Sequence, residues 1–193
     1  MGHLIRAWLL DLYEDADDGI RLWFILESGE RLCLRQRMPI TFYAAGANEQ
    51  LRELWKFLRR QPETISLGRE TRKDAFIPEP LAVLQAVVDN PVRQVRLFRD
   101  VQRRFPDLTY YDADIPVSTR HAASYGTFPM AFCEIEYDDE HWIQQIKTLN
   151  TRWDVMPVQP VLRVLELEPD CDPGRNSPRA IRIRYQKRQK TLL

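Results

Sequence analysis

Net charge is the first thing this chain lacks: 28 Lys and Arg residues balance 28 Asp and Glu over 193 positions. A neutral molecule exerts no long-range pull on a polyanion, so any nucleic-acid contact has to come from local basic patches. Cysteine is scarce as well. Cys33, Cys133 and Cys171 are the three thiols, and none belongs to a Cys-x-x-Cys pair. That pattern suits buried thiols in a reducing compartment better than a disulfide frame or a zinc site. The three histidines, His3, His121 and His141, have no His-Glu-x-x-His spacing. No apolar run approaches the ~18 residues of a membrane span, and the first residues lack the layout of a secretory signal. The expectation is a soluble, cytoplasmic protein without a membrane partner. Its 44% hydrophobic and 29% charged residues fit a globular chain able to bury a core.

Periodicity and turn chemistry predict an α+β fold. Ile5–Tyr13 reads as a strand, Asp18-Gly19 as a hairpin turn, and Ile20–Glu27 and Arg31–Gln36 as the return strands of an antiparallel meander. Pro39–Ala44 opens a second unit. Asn48 is the expected N-cap of a helix over Glu49–Arg60, with Leu51, Leu54, Trp55 and Leu58 at helical spacing. Strands follow at Thr64–Thr71 and Leu81–Val88. Asn90-Pro91 supplies a cap and a first-turn proline for a helix whose inner face reads as Val92, Val95, Phe98, Val101 and Phe105. Leu108–Tyr111 closes the unit. The order from Pro39 is β-α-β-β-α-β, a ferredoxin-like or RRM-like arrangement.

Beyond it, Ile115-Pro116 sets extended backbone and starts a short helix that Gly126 ends. Phe132–Tyr137 alternates as a strand. Trp142–Leu149 reads as its hairpin partner across Asp138-Asp139 or as a short helix, the hairpin being preferred. Pro157 and Pro160 mark a linker, Val161–Leu167 a buried strand, and Ala180–Tyr185 the last strand after a loop over Pro169–Pro178.

The most specific run is YDADIPVSTRHAASYGTFPM, Tyr111–Met130. Its Asp-Ile-Pro, Arg120, Gly126 and Pro129 spacing resembles the end of the N-terminal domain of family B DNA polymerases, where the chain enters the 3′→5′ exonuclease domain. The resemblance implies a role in DNA replication or repair. It also implies an N-terminal-like domain over 1–130, a strand and linker region over 131–160, and over 161–193 a truncated hairpin resembling the start of an RNase H-like exonuclease fold, with a basic tail. The family's first exonuclease motif, Asp-x-Glu, holds two Mg2+ ions that clamp the attacking water and the leaving oxygen. In VLRVLELEPD, Glu168 and Asp170 fall on those positions with the acids exchanged and Pro169 between them. The second and third exonuclease motifs and the polymerase motifs do not follow. No catalytic residue and no cofactor are expected of this chain, which is not predicted to extend or cleave DNA alone.

The implied partners are single-stranded template DNA and the remaining polymerase domains or a partner chain. Candidate contacts are Arg120, Arg182, Arg184, Tyr185, Lys187 and Arg188. Arg120 aligns near the pocket with which archaeal members capture template uracil; it equally suits anchoring its helix to Asp112 or Asp114. Arg182 and Arg184 share a strand face and could track phosphates, or could shield an exposed strand edge. The helix cations Arg52, Lys56, Arg59, Arg60, Arg93, Arg96, Arg99, Arg103 and Arg104 read as a solvated face. A rival reading is a free-standing single-stranded nucleic-acid-binding module with an RRM-like sheet. Against it, Phe42 and Tyr43 are adjacent and face opposite sides, and no RNP-type run is present.

Overall fold

The computed structural model describes residues 2–76, 78–186 and 188–192. The fold is α+β with mostly antiparallel sheets, in two compact units, Met1–Gln159 and Pro160–Leu193. Strands β1 (His3–Asp15), β2 (Gly19–Leu26) and β3 (Arg31–Gln36) form the meander. Gly19 turns it at φ 98°, and a Cβ there would meet the Gln36 carbonyl at 2.9 Å, so this turn requires glycine. Next come β4 (Ile40–Ala45), α1 (Asn48–Leu58), β5 (Thr64–Lys73), β6 (Pro80–Val88), α2 (Pro91–Arg104) and β7 (Thr109–Tyr111). Helix α3 (Val117–Tyr125) then leads into β8 (Phe132–Tyr137) and β9 (Ile143–Thr148).

Strands β8 and β9 return to the meander and complete one sheet of order β3-β2-β1-β8-β9. The Arg35 amide donates to the His141 carbonyl at 2.8 Å and Arg35 bridges Trp142. The two edges of this sheet therefore approach each other around Ile20, Leu22, Phe24, Leu34 and Ile135, all fully buried. The second sheet runs β5-β6-β4-β7, antiparallel throughout. Its inner face, Phe42, Ala44, Leu84 and Ala86, packs with Leu54 and Leu58 of α1 and Leu97 and Val101 of α2.

Three local expectations change. Asn48 is the first residue of α1, and the cap is Ala47 without a side-chain bond. Helix α2 buries Gln94 and Leu97 with Val101, while Val95 is 45% exposed; the inner stripe is rotated from the valine pattern because the Gln94 amide finds the Ala113 carbonyl at 3.1 Å. Val161–Leu167 is not a buried strand. In the smaller unit β10 (Leu165–Pro169) begins only at Leu165, and with β11 (Ile181–Tyr185) and β12 (Arg188–Leu192) it forms a single three-stranded layer whose Leu165 and Leu167 are exposed. Strand β12 has no counterpart in the sequence reading.

Asn90 caps α2 as its spacing predicts. Its Oδ1 accepts from the Val92 and Arg93 amides at 2.8 and 3.3 Å, and its Nδ2 donates to the Asp15 and Ala16 carbonyls at 2.8 and 3.2 Å. One side chain thus ties the helix to the β1–β2 turn. Asn90→Ala is expected to cost about 2 kcal/mol in urea unfolding, a lost cap plus buried carbonyls left unpaired. Asn90→Asp, which keeps the cap but loses the donor, should fall between; equal stability of all three proteins would contradict this role.

Candidate nucleic-acid interface

Alternation along β4 sends Phe42 into the helix-covered core and Tyr43 to the other face of the sheet. The register sets Tyr43 opposite Gln85 of β6 and Tyr111 of β7, so two phenol rings lie side by side on the face opposite the one on which α1 and α2 pack. Tyr110 shows the complementary choice: it turns inward, donates to the Phe105 carbonyl at 2.8 Å, and burial pushes its phenol up to about 12.

Arg72, near the end of β5, donates from Nη2 to the Tyr43 hydroxyl at 3.1 Å and holds its guanidinium 5.1 Å from the centre of that ring. It also pairs with Glu70. Around these groups a cleft of about 460 Å³ opens, lined among others by Tyr43, Arg72, Lys73, Phe76, Tyr111 and Asp112. Phe76 stands 95% exposed beside it. Burial first, and then a hydrogen bond to Asp74, raise the Tyr111 phenol above its ordinary range, so it stays protonated at neutral pH. Flat π-faces beside cations can stack a base and neutralise its phosphate.

Arg120 of α3 reaches the same strand. Its Nε donates to the Ile115 carbonyl at 3.2 Å and its Nη1 to the Thr41 carbonyl at 3.1 Å. Anchoring therefore runs through main-chain carbonyls; no ion pair to Asp112 or Asp114 forms among the described residues. Burial depresses its pKa, opposed by the charges of Asp112, Tyr43 and Asp114, yet a guanidinium remains cationic. Its Nη2 is buried without a hydrogen-bond partner. An orphan donor on a half-buried cation is costly unless an acceptor arrives.

The C-terminal candidates are arranged differently. Arg182 and Arg184 do share a face of β11, but the acids of β10 share it too. Arg182 Nη1 lies 2.9 Å from Glu168 Oε2, Arg184 Nη2 lies 3.3 Å from the same oxygen, and Arg184 Nη1 lies 3.7 Å from Glu166. Tyr185 alternates to the opposite face, with Arg188 its register partner on β12, so these two are not brought together with Arg182 and Arg184. Lys187 lies outside the described residues. Asp170 sits past the end of β10, its amide donating to the Ala180 carbonyl at 3.0 Å and its Oδ1 accepting from the Arg179 amide at 3.1 Å. Glu168 and Asp170 thus do not fit a Mg2+ site as they stand. One is engaged by two guanidiniums, the other closes a loop, and among the described residues no group of three or more His, Cys, Asp or Glu side chains is arranged to hold a metal ion.

Arg72, Lys73 and Phe76 escape the sequence reading, and Tyr111 enters it only as the end of a closing strand and the start of the Asp-Ile-Pro run. Their signal is the pair of aromatic doublets Phe42-Tyr43 and Tyr110-Tyr111, each placing one ring inside and one outside once the strands align. No helix among the described residues is long and apolar enough to cross a membrane. Compared with protein-family models and with curated proteins, the chain finds no match.

Proposed function

We propose that this chain is a non-catalytic scaffold that guides single-stranded DNA, the N-terminal part of a family B DNA polymerase-like protein acting in replication or repair in the cytoplasm. The observation that carries the reading is the cleft on the sheet face opposite α1 and α2, where Tyr43 and Tyr111 lie beside Arg72 and Lys73. Three further features support it. The Asp114-Ile115-Pro116, Arg120, Gly126, Pro129 run is the specific part of the resemblance. The strand order β5-β6-β4-β7 over a β-α-β-β-α-β chain suits the ferredoxin-like or RRM-like arrangement proposed for this unit. The antiparallel layer β10-β11-β12 suits the opening strands of an RNase H-like exonuclease fold.

Guidance here is physical rather than chemical. The phenol faces stack bases with little regard to sequence, Arg72 and Lys73 offset the phosphates, and Arg120 fixes α3 against β4 while offering Nη2 to an acceptor on the strand. Stacking on one aromatic contributes about 1–3 kcal/mol. Tyr43→Ala is therefore expected to weaken oligonucleotide binding about tenfold in fluorescence anisotropy, and an unchanged midpoint would contradict the assignment. Incubation with Mg2+ or Mn2+ should leave labelled DNA intact; degradation abolished by Glu168→Ala would overturn the non-catalytic reading.

The adjacency of Tyr43 and Tyr111 also favours a second reading, a free-standing single-stranded nucleic-acid-binding module on an RRM-like sheet. It differs in strength: such a module must hold its ligand tightly without neighbouring domains.

A further inference from the structure

On the helix-covered side of the same unit, where α1 lies against β5 and β6, a separate groove of about 310 Å³ opens. Leu51 and Leu84 contribute its apolar lining, and Arg52, Trp55 and Arg69 its chemistry. The register pairs Arg69 with Leu84, which places this arginine on the helix side of the sheet. That volume is at the small end of the range for ligand pockets.

Three observations set this groove apart from an ordinary solvated helix face. Among the described residues, no carboxylate lines it. The acids adjacent in sequence to the two arginines are engaged elsewhere, Glu53 by Lys56 at 2.7 Å and Glu70 by Arg72, whereas neither Arg52 nor Arg69 is in an ion pair among the described residues. Trp55 is not needed for the core, which α1 reaches through Leu54 and Leu58; its indole is 37% exposed and carries the Arg59 guanidinium at 5.0 Å from its centre. Two guanidiniums thus share the groove with a half-exposed indole that a third flanks, which sets cations beside a stacking surface.

We infer that this groove binds one nucleotide unit, its base against Trp55 and its phosphate between Arg52 and Arg69. Guanidiniums provide the planar fork that phosphate oxygens accept, and the indole provides the π-face. The unit can be a free nucleotide or one residue of a polynucleotide, and the two sources separate by experiment.

The test follows tryptophan fluorescence of the full chain during titration with dAMP and, separately, with a dA8 oligonucleotide. Saturable quenching is expected with at least one of them, absent in Trp55→Phe and about tenfold weaker in Arg52→Gln/Arg69→Gln. Quenching by dAMP marks a free-nucleotide site, and quenching by dA8 alone marks a strand site. All three positions are exposed, and circular dichroism of each variant is the check that it folds. Silence with both ligands, an equal signal in Trp55→Phe, or unchanged affinity in the arginine variant would each overturn the assignment. Tyr43→Ala should leave the dAMP response intact, so the outcome here is independent of the sheet-face cleft.

Discussion

Lowering the pH from 6.5 to about 4 is expected to remove roughly 3 kcal/mol of folding stability through one side chain, His121. The imidazole is fully buried between α3, the end of β3 and the turn after Gly126. Its Nε2 lies 2.9 Å from Gln36 Oε1 and its Nδ1 2.6 Å from Thr127 Oγ1, with the Tyr125 ring 4.6 Å away. Gln36 accepts from Nε2–H, which leaves Nδ1 to accept from the Thr127 hydroxyl. That pattern satisfies the neutral ring, and among the described residues no carboxylate is hydrogen-bonded to it to stabilise the cation.

Burial lowers the His121 pKa from 6.5 to about 4. Between those values the unfolded chain binds a proton that the folded chain refuses. Stability is therefore complete above the unfolded value and falls as pH drops through the window, by about 1.4 kcal/mol per unit. Asp15 and Asp154, whose pKa values are lowered from 3.8, lose their contributions only at lower pH. Urea midpoints at pH 7 and 4.5 measure the effect, and His121→Gln, which bonds without titrating, should flatten it. An equal slope in that variant would reject the assignment.

A large single-site loss should come from Phe42→Ala, about 3–5 kcal/mol. Phe42 is fully buried and meets Phe98 edge-on at 5.5 Å, and Phe98 in turn meets Tyr110 at 5.1 Å. Removing it opens a cavity where α2 packs on the sheet. Tyr43→Ala, one residue on, is expected to cost only about 1 kcal/mol, because the ring is only partly buried, on the face opposite α1 and α2. Paired urea unfolding curves decide the point. Comparable losses would mean that Tyr43 is a core residue and that the cleft has no free π-face to offer.

These neighbours illustrate what could be read from residue order. Strand alternation alone gives the opposite orientation of Phe42 and Tyr43, and Asn90-Pro91 gives the start of α2, because both depend on local backbone rules. What stayed hidden depends on partners distant in sequence. The inner stripe of α2 was misplaced because Gln94 counts as polar until the Ala113 carbonyl meets it. The exposure of Leu165 and Leu167 could not be foreseen from an apolar run, since burial requires a second layer and this unit supplies only one. Strand β12 was invisible because its alternation, Arg188, Lys190 and Leu192, carries too little hydrophobic contrast. The candidate site was half legible. Arg120 was singled out, but its grip on the Thr41 carbonyl needs 79 residues of chain to fold back, and the Tyr43–Tyr111 pairing needs the sheet.

The most direct measurement is an anisotropy titration of a single-stranded oligonucleotide at several salt concentrations, with the intact chain and with Arg72→Ala/Lys73→Ala. A scaffold that guides template by two cations and two rings should bind more weakly than micromolar near physiological salt. Losing both cations should make the log–log salt slope shallower by about 1.4, about 0.7 per phosphate contact. Binding tighter than micromolar there, or a slope that the double variant leaves unchanged, would contradict the account.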